Sequence, residues 1–179
     1  IEKVRFDNII SSITDGLVIY DQDFNVVLFN GAAEIIFGIR ADEVLGKTLS
    51  PESVRNSKLG ILAKVIFQSL APLVVRQSPE GIYPQVADIS FTDPQLELRV
   101  TTDKMKNEKG EAAGFLKIIH DQTREAELIK SKTDFITIAA HQLRTPLSAV
   151  VWAFQSLKNE NLNDSQKELT DTGLAAANN

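Results

Sequence analysis

The feature that most constrains this chain is a stripe of apolar residues in its C-terminal third. Taking about 100° per residue and placing Leu143 at zero, Ile129, Ile136, Ala139, Ala140, Leu147, Val150, Phe154 and Leu157 all fall within roughly 60° of it. From Leu143 onward the apolar steps alternate between four and three residues, the seam of a coiled coil or helical bundle. A lone helix cannot bury such a stripe. One partner is expected from a second helix beginning after Asn163-Asp164-Ser165, whose pattern stops at Asn179. The other is most simply a second copy of the chain. Residues 124–179 therefore read as half of a helical bundle, an antiparallel hairpin cut short.

The preceding residues carry a different periodicity. Short apolar runs alternate with turn signals from Gly16 to about His120. Leu17–Tyr20 and Val26–Phe29 read as strands joined by the polar turn Asp21-Gln22-Asp23. Asn30 reads as the N-cap of a helix over Ala32–Phe37, which Gly38 stops. Residues 59–71 predict a longer helix. Stretches around 85–92, 95–106 and 111–119 predict three further strands, the last two joined by the hairpin turn Asn107-Glu108-Lys109-Gly110. Two strands, then helices, then three strands indicate an α+β domain on an antiparallel sheet.

Composition narrows the function classes. With 43% hydrophobic and 24% charged residues, the 179-residue chain is expected to fold rather than remain disordered. The net charge of −5 argues against nucleic acid as a partner, because phosphate-backbone binding needs clustered Lys and Arg. No cysteine is present, so disulfides, thiolate metal sites, thiol nucleophiles and cysteinyl flavin adducts are excluded. No metal site is expected. The apolar runs are far shorter than the roughly 20 residues that span a bilayer. The chain opens at Ile1-Glu2-Lys3 without methionine or a signal-peptide pattern, and it reads as a fragment of something longer.

The chemistry is expected on the far side of the helical stripe. His141 lies about 160° from Leu143 and Thr145 about 160° the other way, with Asp134, Ser148 and Trp152 on the same outer face. An imidazole there can meet a phosphoryl donor and later an acceptor without disturbing the core. Thr145 stands one turn beyond it. Pro146 removes a backbone hydrogen bond and crowds the carbonyl of Gln142, so a bend beside the histidine is expected. Trp152 reads equally as a docking residue and as an ordinary contact in the hairpin.

Residues 135–147, FITIAAHQLRTPL, resemble the H-box of the two-component sensor histidine kinases. The phenylalanine six positions before the histidine and the His-x-Leu-Arg-Thr-Pro-Leu core both match. The resemblance implies a dimeric four-helix bundle in which His141 accepts the γ-phosphoryl group of ATP. His141 then passes it to an aspartate in the receiver domain of a response regulator. It also implies a role for Thr145 in orienting water for the reverse phosphatase reaction. One position departs from the pattern. The family usually places glutamate after the histidine, as general base or as a group orienting the imidazole. Gln142 can accept a hydrogen bond but cannot take a proton.

A second resemblance covers residues 12–123. Asp15-Gly16-Leu17-Val18-Ile19, Asn30-Gly31-Ala32-Ala33-Glu34, Leu45-Gly46-Lys47 and the junction Asp121-Gln122-Thr123 are similar to a PAS domain. That implies a five-stranded antiparallel sheet with flanking helices. It also implies a sensor that binds a small molecule between sheet and helices, or that binds nothing and dimerises. Haem is not expected, because its ligand usually lies on the long central helix and residues 59–71 contain no histidine. Asn30 reads as a cap rather than a ligand contact. Asp121 and Thr123 read as a signalling joint between sheet and helix, with Pro146 as a hinge.

The expected organisation is an N-terminal helix or linker over 1–11, a PAS sensor over 12–123 and a dimerisation and phosphoacceptor domain over 124–179. The expected function is a sensor histidine kinase fragment that works as a homodimer in the cytoplasm, alone or as part of a membrane-anchored protein. ATP with Mg would be held by a domain of the same protein outside this chain, because no glycine-rich nucleotide-binding segment is present. The PAS ligand is left open. The competing readings are a ligand-binding or dimerising PAS scaffold without kinase activity, in which His141 is vestigial.

Overall fold

The computed structural model describes residues 2–56, 58–79 and 81–177. The chain divides into two compact units, Ile1–Ala126 and Glu127–Asn179.

The first unit opens with helix α1 (Glu2–Ser12), followed by strands β1 (Gly16–Tyr20) and β2 (Val26–Phe29). Helices α2 (Gly31–Phe37), α3 (Ala41–Val44) and α4 (Gly60–Ile66) come next, then strands β3 (Leu73–Gln77), β4 (Gln85–Thr92), β5 (Gln95–Lys106) and β6 (Ala112–Asp121). The six strands form one antiparallel sheet in the order β2-β1-β6-β5-β4-β3. Alternation along the strands sends one set of side chains inward. Val18, Phe29, Ile89, Leu98, Val100 and Ile119 pack there against Ala33, Phe37, Leu62, Val65 and Ile66 of α2 and α4. Burying each large side chain of that set contributes roughly 1.5–3 kcal/mol, which fixes the register of every strand that supplies one.

The turns fold as their residues dictate. In the β1–β2 turn, the Asp21 carboxylate accepts from the amides of Asp23 and Asn25 and from Asn25 Nδ2, each at 2.9 Å. The bond from the Asn25 side chain leads in holding the Asp21 carboxyl below its ordinary range. In the β5–β6 turn, the Asn107 side chain accepts from the Lys109 and Glu111 amides, and Gly110 takes the left-handed φ of 79°.

Two elements differ from the sequence reading. The helix expected over 59–71 stops at Ile66, where Phe67 leaves the helical region at φ −99°, ψ 77°. Its ring turns onto Phe24, centroids 4.9 Å apart, and a single 3-10 turn, Gln68–Leu70, follows. Pro72 then holds Ala71 extended, at φ −67°, ψ 144°. The chain emerging from it supplies β3, one strand more than the five expected. β3 covers the edge of β4 that would otherwise stand unpaired.

The second unit is built on helix α5 (Thr123–Lys158), which begins in the first unit, and helix α6 (Asp164–Ala177). α5 continues through Pro146. Asn163 caps α6: its Oδ1 accepts from the Gln166 amide at 2.9 Å, and Gln166 Oε1 accepts from the Asn163 amide at 3.0 Å. α6 folds back on α5, with Lys158 paired to Asp171 at 2.7 Å. A Cβ at Gly173 would come within 2.4 Å of the Phe154 ring, so glycine there lets the ring lie against α6. The rest of the stripe is uncovered, with Leu143 67% and Leu147 47% exposed. No described helix is long and apolar enough to cross a membrane.

Candidate functional site

His141 lies in the middle of α5, and both it and Thr145 are exposed. Helical rise places Thr145 about 6 Å further along the axis on the same side. Gln142 and Pro146 are also exposed and within the continuous helix. The apolar stripe and His141 therefore occupy opposite faces, and a partner covering the stripe leaves the imidazole open. A groove of about 490 Å³ is lined by Arg144, Leu147, Ser148, Val151, Trp152 and Gln155 of α5 and by Ala177 of α6. Trp152 is 70% exposed. The carboxamide of Gln142 adds no negative charge to this stretch of helix.

Asp121 and Thr123 meet where β6 passes into α5. The Asp121 Oδ1 accepts from the Thr123 amide at 3.0 Å and from its hydroxyl at 2.5 Å. The Thr123 Oγ1 accepts in turn from the Glu97 amide at 2.9 Å, and the Gln122 amide donates to the Glu97 carbonyl at 2.8 Å. The first turn of α5 is thus bonded to the start of β5. Close by, a surface groove of about 300 Å³ is lined by Thr14, Asp15, Ala32, Ile36, His120 and Asp121. His120 Nδ1 stands 2.8 Å from Asp15 Oδ1, which ties the end of β6 to the start of β1.

Asn30 is buried and makes four side-chain hydrogen bonds. Its Oδ1 accepts from the Ala33 amide at 2.9 Å, as an N-cap does, and from the Leu17 amide at 2.8 Å. Its Nδ2 donates to the carbonyls of Asp15 at 3.0 Å and Ile10 at 3.3 Å.

The sequence reading passed over Lys117. It sits on the inner face of β6, 2% exposed, between Phe115 and Ile119 and opposite Thr102 of β5. Its Nζ donates to Thr102 Oγ1 at 2.8 Å, and burial pushes its pKa down to about 8. The alternation Phe115-Lys117-Ile119 was the available signal, since it puts a lysine in the apolar register of a strand. Among the described residues, no group of three or more His, Asp or Glu is placed to hold a metal ion.

Comparison with known proteins gives two family matches, the PAS fold over residues 5–122 and the His Kinase A (phospho-acceptor) domain over residues 131–179. An uncharacterized sensor-like histidine kinase of Porphyra purpurea is 29% identical over 171 residues, 93% of this chain and 26% of that protein. The signal transduction histidine-protein kinase AtoS of Escherichia coli is 28% identical over 165 residues, 86% of this chain and 25% of that protein. The sensor protein kinase WalK of Staphylococcus epidermidis is 24% identical over 174 residues, 97% and 26%. The chain thus spans about a quarter of the length of these relatives. Among solved structures, the PAS domain of BvgS from Bordetella pertussis matches with a TM-score of 0.52 and 22% identity, covering 74% of this chain and 95% of that one. That likeness supports the fold.

Proposed function

This chain belongs to the PAS-fold family and carries a His Kinase A phospho-acceptor domain, and on that premise we propose that it is the sensing and phosphoaccepting part of a sensor histidine kinase. The observation that carries the reading is the placement of His141. It is an exposed imidazole inside the His-x-Leu-Arg-Thr-Pro-Leu motif, opposite an uncovered apolar stripe. A second copy of the chain covers that stripe and forms a four-helix bundle.

The neutral imidazole of His141 attacks the γ-phosphorus through its unprotonated nitrogen. A nitrogen–phosphorus bond forms, the bond from phosphorus to the bridging oxygen breaks, and ADP leaves. The ring is left positively charged, and it becomes neutral again when the proton on its other nitrogen leaves. A carboxylate at position 142 would take that proton. Gln142 can only orient the ring by accepting a hydrogen bond, so the proton passes to water. ATP with Mg, supplied by a separate nucleotide-binding domain, is the phosphoryl donor. An aspartate carboxylate of a response regulator then takes the group, and Thr145 holds a water for the reverse hydrolysis. Asp121 and Thr123 fix the entry of α5, and Pro146 gives the helix a place to bend, so a change in the PAS unit alters access to His141. Both units work in the cytoplasm.

Gln142 favours a second reading, in which the chain is biased toward sensing and phosphatase action rather than autophosphorylation. A pulse-chase separates the two. A protein joining this chain to an ATP-binding domain is loaded with labelled ATP and chased with a receiver domain. Label that moves from the kinase to the receiver supports the proposal. Absent loading, combined with loss of label from a pre-phosphorylated receiver, supports the second reading.

A further inference from the structure

A row of charge crosses the outer face of the sheet and ends at the root of α5. Arg76 of β3 stands opposite Asp88 of β4, Asp88 opposite Arg99 of β5, and Arg99 opposite His120 of β6. Asp15, one residue before β1, completes the row, its Oδ1 2.8 Å from His120 Nδ1. Imidazole is the side chain that ordinarily gains or loses charge between pH 5 and 8, and within this row only His120 carries one. Its ring is half-exposed and borders the groove at the end of β6, so protons reach it from solvent.

Opposite residues on paired strands hold their β-carbons about 4.5–5.5 Å apart, where unlike charges attract and like charges repel. Arg99 is a permanent cation. It grips Asp88 through Nε at 2.7 Å and Nη2 at 3.1 Å, and that bond keeps the Asp88 carboxyl below its ordinary range. A proton on His120 therefore sets a second cation across from Arg99 on β5, while it strengthens the hydrogen bond to Asp15 beside β1. The other ionisable groups near the ring are already engaged. Glu97, two residues before Arg99 on the same face of β5, accepts from the Ser90 hydroxyl at 2.6 Å. Asp121 accepts from the amide and hydroxyl of Thr123. From α2 only the apolar Ala32, Ile35 and Ile36 reach the groove.

The end of β6 is thus held from two sides. Toward β5, the Gln122 amide donates to the Glu97 carbonyl and the Glu97 amide donates to Thr123 Oγ1. Neither of those bonds contains an ionisable group. Toward β1, the hold is the His120–Asp15 pair. A proton on the imidazole reinforces the second hold and works against the first.

We propose that His120 is a proton-operated latch on the root of α5. Its protonation draws the end of β6 toward Asp15 and away from Arg99, and loosens the bonds of Gln122 and Thr123 to Glu97. This deepens the sensory reading of the first unit, on which its meaning as a signal rests, and names the proton as a stimulus.

The test follows hydrogen exchange of the whole 179-residue chain at the Glu97 and Gln122 amides between pH 7.5 and pH 5.5, corrected for the intrinsic rate at each pH. Protection at both amides is expected to fall by roughly two- to fivefold on acidification, in step with the NMR signals of the His120 ring carbons. His120→Gln keeps a donor for Asp15 but has no ring to titrate, and the fall is expected to vanish there. In Arg99→Gln, which lacks the opposing cation, it is expected to shrink. Amide spectra show that each variant is folded. Protection that stays constant in wild type overturns the proposal, as does an equal fall in His120→Gln or an undiminished one in Arg99→Gln. Exchange involves no phosphorylation, so failure here leaves the role of His141 untouched, and failure of His141 to accept label leaves the latch untouched.

Discussion

Replacing Asn30 by alanine removes one side chain on which three elements depend. Its Oδ1 is the acceptor for the amide that opens β1, at Leu17, and for the Ala33 amide in the first turn of α2. Its Nδ2 holds the carbonyls of Asp15 and of Ile10 in α1. Loss of an N-cap costs about 1 kcal/mol. The Leu17 amide, on a residue 6% exposed, is left without that acceptor at a further cost of about 1–3 kcal/mol. The carbonyls are nearer solvent and water can serve them, so they add little. The sum is roughly 2–4 kcal/mol, a large share of the 5–15 kcal/mol typical of a domain. For a unit of this size that corresponds to a fall in melting temperature of about 8–15 °C. Asn30→Asp keeps both amide acceptors but sets an oxygen against the Asp15 carbonyl, and is expected to fall between alanine and wild type. Near-ultraviolet circular dichroism during heating measures the fall, and hydrogen exchange at the Leu17 and Ala33 amides locates it. A drop under about 3 °C, or unchanged exchange protection at both amides, would refute the assignment of Asn30 as the tie between α1, β1 and α2.

Thr123→Val leaves the Glu97 amide without its acceptor at the β6–α5 joint, at a cost of about 1–3 kcal/mol; faster hydrogen exchange at Glu97 checks it, and an uncoupled kinase response checks the signalling role. Gly114→Ala is expected to prevent stable folding, because a Cβ there would stand 2.3 Å from the Tyr20 carbonyl oxygen across the β1–β6 pairing; a native-like amide spectrum would contradict this. Lys117 gives a pH dependence of definite sign. Its folded pKa of about 8 lies below the ordinary 10.5, so the unfolded chain binds more protons between those values and stability rises with pH across that window, by up to roughly 3 kcal/mol. Urea midpoints against pH measure the slope, which Lys117→Met should abolish.

Much of this arrangement could be read from the residues because the local signals agreed with the global fold. Asn30, Gly38 and Gly110 occupy the cap and turn positions that their side chains or backbone freedom suit. β4 and β5 alternate along their inward residues, β6 is an apolar run interrupted by Lys117 and bounded by the Asn107–Gly110 turn, and α5 follows an apolar stripe with helical period. β3 was hidden because Leu73-Val74-Val75-Arg76-Gln77 does not alternate. It is mostly exposed and is a strand because β4 offers it an edge. The early end of α4 depends on where the Phe67 ring packs, a tertiary contact invisible to local propensity. The phosphoacceptor candidates were legible because a motif on a helix face needs no tertiary information. Lys117 was not, since a lysine in a strand reads as a surface residue until its neighbours on both sides are known to be core.

The most direct measurement is the site of phosphorylation. The chain contains two histidines, His120 and His141, so peptide mapping after incubation with ATP and an ATP-binding domain distinguishes them. An acid-labile, alkali-stable phosphoryl group on the peptide carrying His141, absent from His141→Gln, is the expected result. Label on the His120 peptide, or label that persists in His141→Gln, would contradict it.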